Sequence, residues 1–175
     1  MIYLIDVEQV KKNGYVDKNI ATGDVQTALA LAQDIQLETL IGTALFNRIV
    51  NEVESETISA PVQSLLDGVL TQLLIYYTIG YLIHTQRIKI STQAEVKKSS
   101  DNSETISLED INSMVDVIEG IVSRYENKLM ATLEDSSDDF PELQEDVVGG
   151  VPPETQARST TVFNTREIIN KLQGI

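Results

Sequence analysis

Ser59-Ala60-Pro61-Val62-Gln63-Ser64-Leu65-Leu66-Asp67-Gly68-Val69-Leu70-Thr71-Gln72-Leu73-Leu74-Ile75-Tyr76-Tyr77-Thr78-Ile79-Gly80-Tyr81-Leu82-Ile83 is the stretch that decides the fold. Ser59 or Ala60 suits a helix cap, and Pro61 falls in the first turn, where its missing N–H costs nothing. Beyond it Val62, Leu66, Val69, Leu73, Tyr76, Gly80 and Ile83 follow at spacings of 4, 3, 4, 3, 4 and 3, a seven-residue repeat that only a helix brings to one face.

A second seam with the same period lies downstream. Ser107-Leu108-Glu109-Asp110 reads as a capping box, and Leu108, Ile111, Val115, Ile118, Val122, Tyr125 and Leu129 follow at spacings of 3, 4, 3, 4, 3 and 4. Two seams matched in period and length predict a long antiparallel helix pair, each helix of about 25 residues and roughly 40 Å. Between them, Ile88-Lys89-Ile90-Ser91-Thr92 and Ala94-Glu95-Val96-Lys97 alternate as strands do, and Ser99 to Ser103 is turn-like. A small β-hairpin or loop is expected at the tip, with Ile88, Ile90 and Val96 as its contact residues.

Upstream, Asp6 to Lys12 suits a short helix stopped by Asn13-Gly14. Thr22-Gly23-Asp24 opens another, with Val25, Ala28, Leu29, Ala32 and Ile35 at helical spacing, ending near Ile41-Gly42. Thr43 begins a third, whose apolar side is Leu45, Phe46, Ile49, Val50 and Val53. The fold class predicted is mainly α: an elongated helical bundle over residues 1–133. After Leu133 the composition changes, because Glu134 to Asp146 holds seven acids and no base, and Gly149-Gly150-Val151-Pro152-Pro153 excludes regular structure. Residues 134–175 are read as an acidic linker and docking tail, ending in a short strand (Ser159 to Phe163) and a short helix (Thr165 to Leu172). Apolar residues beyond a polar linker imply a partner, so Val162, Phe163, Ile168, Ile169 and Leu172 are the expected docking residues.

Composition narrows the chemistry. The 175 residues are 42% hydrophobic, enough for a sizeable core, and carry 27 acids against 13 bases, a formal charge of −14. That charge repels phosphate backbones, and Lys11-Lys12 and Lys97-Lys98 are pairs rather than a patch, so gripping nucleic acid is not expected; an acidic wall past which DNA slides is compatible. With no Cys there is neither a disulfide framework nor a thiolate metal site. Met1 to Asp6 does not read as a signal peptide, and Leu73 to Ile83 is about half the length of a bilayer span, so no membrane segment is predicted.

Nucleophilic catalysis needs a base, and His84 is the single histidine, so it is read as a packing or helix-end residue. Asp135, Asp138 and Asp139 lack the alternating ligands, central Gly and distal Glu of a calcium loop, and Gly149-Gly150 has no Lys-Ser or Lys-Thr after it. Tyr76, Tyr77 and Tyr81 sit in the densest apolar run without nearby bases and are read as core or subunit interface rather than a base-stacking platform. No catalytic, cofactor or metal residue is assigned.

The segment Val25 to Val50, with Ala28-Leu29-Ala30-Leu31-Ala32-Gln33-Asp34-Ile35-Gln36 and Leu40-Ile41-Gly42-Thr43-Ala44-Leu45-Phe46-Asn47-Arg48-Ile49, resembles the opening helices of head-tail connector proteins of tailed phages. The order that follows, a long helix ending in Ile88-Lys89-Ile90-Ser91, a tip loop and a returning helix with Arg124-Tyr125-Glu126-Asn127-Lys128-Leu129, is similar to the same family over about residues 20 to 133. The resemblance implies a virion protein at the portal vertex, made in the host bacterial cytoplasm. It would form a homo-oligomeric ring, commonly twelve-fold, that binds the portal protein, extends the DNA channel and docks the next neck or tail protein, without catalysis. The other readings are a non-viral helical adaptor or regulatory interaction module, and an enzyme using acidic residues with a divalent metal.

Overall fold

The computed structural model describes residues 2–12, 16, 20–96 and 108–145, and among these the chain is mainly helical, with no strand. The first helix, α1 (Val7–Lys12), is opened by a reciprocal cap: Asp6 Oδ1 accepts from the Glu8 N–H at 3.0 Å and Gln9 Oε1 accepts from the Asp6 N–H at 3.0 Å. Next, α2 (Thr22–Leu31) continues without a break through a π-helical stretch, Ala32–Leu37, into α3 (Glu38–Ile41). The corner between α3 and α4 (Thr43–Glu54) is Gly42, at φ 81° and ψ 152°, a backbone conformation open only to glycine.

At the end of α4 the Thr57 N–H reaches the Glu52 carbonyl and the Glu56 N–H the Val53 carbonyl, at 3.1 and 3.2 Å, with Glu56 at φ 54°. This is a Schellman cap carrying Glu where glycine is the usual residue. A second rod follows: α5 (Ala60–Leu65), a π-helical stretch Leu66–Leu70, and α6 (Thr71–Val96). Ser59 is the helix-capping residue and Pro61 lies in the first turn. The Ser59 hydroxyl, however, donates to Glu52 rather than accepting from its own helix.

The rod is the centre of the protein. Val62, Leu66, Val69 and Leu73 of the predicted seam are buried, but so are Leu65, Leu70, Leu74, Ile75, Tyr77, Ile79 and Leu82, so apolar side chains surround it rather than line one face. By length and composition Ala60–His84 could cross a membrane; 61% of its most apolar stretch is buried inside the protein. That burial comes from α2, the first π stretch and α1 on one side and α7 (Leu108–Asp135) on the other. Each fully buried Leu or Ile in such a position contributes about 1.5–3 kcal/mol.

Ile118, Val122, Leu129 and Leu133 of α7 face the rod, and Tyr125 stacks on Tyr76 with ring centroids 5.7 Å apart. The stacked pair lies 20 residues before the end of α6 and 17 after the start of α7; run parallel, those two ends would stand roughly 55 Å apart, farther than the short connection from Val96 to Leu108 can reach, so the helices run antiparallel. Up to Val96 the backbone is helical, so Ile88, Ile90 and Val96 lie on α6 and their alternation is not that of a strand. A continuous rod already committed to helix at His84 extends through a weak alternating segment more readily than it ends. The rest of the expected hairpin or loop, residues 97–107, lies outside the described residues.

The stretch read as the beginning of a linker packs back on the body. After α7 come a single 3₁₀ turn (Ser137–Asp139) and α8 (Glu142–Glu145), and Phe140 between them is 1% exposed, with Leu143 partly buried beside it. Residues 146–175, with Val162, Phe163, Ile168, Ile169 and Leu172, lie outside the described residues.

Candidate interaction surfaces

Most polar side chains inside the fold are used to hold its own elements together. Gln33, 1% exposed in the first π stretch, behaves like a strand of backbone: its Oε1 accepts from the Leu4 N–H at 2.7 Å and its Nε2 donates to the Ile2 carbonyl at 3.1 Å. It thereby pins the N-terminal segment to the bundle. Tyr77 donates to Glu126 at 2.6 Å across α6 and α7, and burial, then the Glu126 charge, push its hydroxyl pKa well up. Tyr81 accepts from Gln36 Nε2 at 3.1 Å, and Tyr76 is stacked on Tyr125, so all three tyrosines are engaged within the chain. His84 lies half-buried on α6 and is engaged as well.

A hub joins α4, the loop before α5 and the stretch after α7. Arg48 Nε donates to Glu52 at 2.9 Å; its Nη1 donates to the Asp139 carbonyl at 3.0 Å and to Glu142 at 3.1 Å, and its guanidinium lies 5.6 Å from the Phe140 ring centroid. Glu52 also accepts from the Ser59 N–H and hydroxyl, at 2.8 and 2.7 Å. Burial alone would raise the Glu52 pKa, but the hydrogen bonds from Arg48 and Ser59 outweigh it and hold the carboxyl below its ordinary value. The bond to Glu52 raises the Arg48 pKa, against burial and with help from Glu142. No sequence spacing announces this hub, because Arg48 and Glu142 are 94 residues apart.

Two outward faces are apolar. The spacing of Val25, Ala28, Leu29 and Ala32 placed Ile35 with the core, but Ile35 is 49% exposed and Leu31 is 38% exposed. The wider π turn is the cause: after Ala32 the buried positions become Gln33, Leu37 and Ile41, and Ile35 swings outward. Asp34 and Glu38 share this face, and partial burial, then the Glu38 charge, raise the Asp34 pKa. On α7, Met114 and Val117 are 42% and 53% exposed, on the side turned away from the rod. Met114 and Val117 are apolar residues beyond those the core seam uses, a signal available in the sequence and hidden by the stronger seam beside it.

Among the described residues no three His, Cys, Asp or Glu side chains converge on a point that could hold a metal ion, and Asp138 and Asp139 are exposed. The arrangement defines a helical domain whose described internal polar groups join its own elements, with an open concavity beside the N-terminal segment and α2, lined by residues such as Tyr3, Ile5, Val7 and Gln26. The chain belongs to a family of unknown function, DUF6712, whose model matches residues 37–149, from the first π stretch to beyond α8. No curated protein and no solved structure matches it.

Proposed function

We propose that this protein is a structural subunit of a tailed-phage head-tail connector, a ring that seats on the portal, continues the DNA channel and presents the docking surface for the next neck or tail component. The observation that carries the reading is the resemblance of Val25 to Val50, and of the helix order after it, to that family. Within the fold this segment is the π-widened helix and the Gly42 corner, with Ile41, Leu45 and Phe46 buried around it. The Leu-Ile-Gly-Thr-Ala-Leu-Phe motif is thus a corner-forming unit, with apolar residues before and after a glycine that turns one helix into the next.

Charge fits the role. A formal charge of −14 makes a channel wall to which DNA does not adhere, so DNA passes without specific binding. The subunit acts through surfaces rather than catalysis, and Val162, Phe163, Ile168, Ile169 and Leu172 reach a neighbouring subunit or the portal from beyond the acidic stretch. The test is cryo-electron microscopy of the particle that carries the chain. A ring of this chain at the portal vertex is the expected result; absence from the particle overturns the reading in favour of a non-viral adaptor.

A further inference from the structure

We infer that the two exposed apolar faces bind each other between copies of the chain: the Leu31, Asp34, Ile35 and Glu38 face of one copy receives the outer face of α7 of the next. On α7, Met114, Val117, Ile121, Arg124 and Lys128 follow at spacings of 3, 4, 3 and 4, a second seam along the flank of the helix, with Ile121 also packed against the core. Its first half is apolar and its second half basic. Ile121 is half-buried, and Arg124 and Lys128 are exposed. Asp116 falls outside this stripe, as does Glu119, whose pKa is raised by burial and then by Asp116.

The receiving face has the complementary chemistry, Leu31 and Ile35 with Asp34 and Glu38. With Leu31 beside Ile121, the acidic pair Asp34 and Glu38 is placed toward the basic pair Arg124 and Lys128. Among the described residues the ion pairs are Lys11–Glu8, Arg48–Glu52 and Arg48–Glu142, so these four charges are not spent on one another within the copy. The wide π turn presents Ile35 and Asp34 together on this face.

Two unlike patches on one chain make a head-to-tail contact, which propagates from copy to copy and closes a ring when the rotation allows. The inference deepens the connector reading and rests on it for the ring, while the contact itself rests on the two faces.

The chain has no cysteine, so cross-linking starts from a clean background. Leu31→Cys and Ile121→Cys, made in separate full-length chains and confirmed as helical by circular dichroism, are oxidised alone and as an equal mixture at up to about 1 mM protein, the weak end of specific association. A disulfide-linked dimer in the mixture and none in either chain alone is the expected result. Dimers within one variant, or none in the mixture, overturn the proposal. Adding Asp34→Lys and Glu38→Lys to the Leu31→Cys chain should lower the cross-linking yield at least about tenfold, and adding Arg124→Glu and Lys128→Glu to its Ile121→Cys partner should restore it. Failure of that rescue also overturns the proposal. A ring at the portal vertex built on other faces would overturn this contact and leave the connector reading standing.

Discussion

Glu52 takes hydrogen bonds from Arg48 Nε and from both the N–H and hydroxyl of Ser59, so one carboxylate ties α4 to the start of the central rod. Because its pKa is held below the ordinary glutamate value of 4.5, its contribution to stability is complete above that value and is lost as pH falls through the depressed one. Glu52→Gln should cost about 1–2 kcal/mol near pH 7, since an amide keeps one acceptor oxygen and loses the charge. The gap between wild type and variant should close as pH falls from 6 towards 3. Urea unfolding midpoints at a series of pH values measure this, and a gap that stays constant would remove Glu52 ionisation as the cause. The hub was illegible in the sequence for a plain reason. Arg48, Glu52 and Ser59 are ordinary surface-type residues, and Phe140 sits in a run of acids that composition alone marks as solvated; only the fold brings them together.

Among the elements, the corner at Gly42 is the most exacting. Its φ of 81° and ψ of 152° exclude an L side chain, while its N–H bonds to the Glu38 carbonyl and its carbonyl receives the Phe46 N–H. Gly42→Ala should therefore destabilise the protein by about 1–3 kcal/mol with no change in helix content at low temperature. Thermal melts by circular dichroism read it, and an unchanged midpoint would mean the corner relaxes freely. The helices themselves were readable because their signals are local: the Ser59-Ala60-Pro61 entry, the Thr22-Gly23-Asp24 start, and the seam of Ile118, Val122 and Leu129. Ile35 was misplaced because a constant period of 3.6 residues was applied across a turn that holds more, and nothing in Ala32-Gln33-Asp34-Ile35-Gln36-Leu37 advertises the wider turn. The demand for it is tertiary: Gln33 has to reach the backbone of Ile2 and Leu4, and Leu37 has to reach the core. Ile88 to Val96 illustrates the opposite error, where a short alternating pattern loses to the helix already running into it.

For the whole molecule, the useful boundary is where the packed body ends. Composition changes at Glu134, but packing continues to Leu143 through Phe140, the Arg48 contacts and α8 against α4. The rod needs α7 on one side and α2 on the other, and the stretch after α7 packs on α4 through α8 and the Arg48 contacts, so the end of the body stabilises an element from its first half. A chain ending at Leu133 loses the Phe140 side chain and both Arg48–Glu142 hydrogen bonds, and leaves Arg48 half-buried beside an apolar hollow. Removing a buried Phe costs about 3–5 kcal/mol, which for a domain of this size lowers the melting temperature by on the order of 10 °C. A chain ending at Glu145 keeps all of these contacts and should melt well above the shorter one. Comparing the two by calorimetry distinguishes a structural role for the 134–145 stretch from a mere spacer: equal melting temperatures would return it to the linker that its acidity suggests, whereas the expected gap fixes the root of the C-terminal segment beside α4, whatever partner its apolar residues meet.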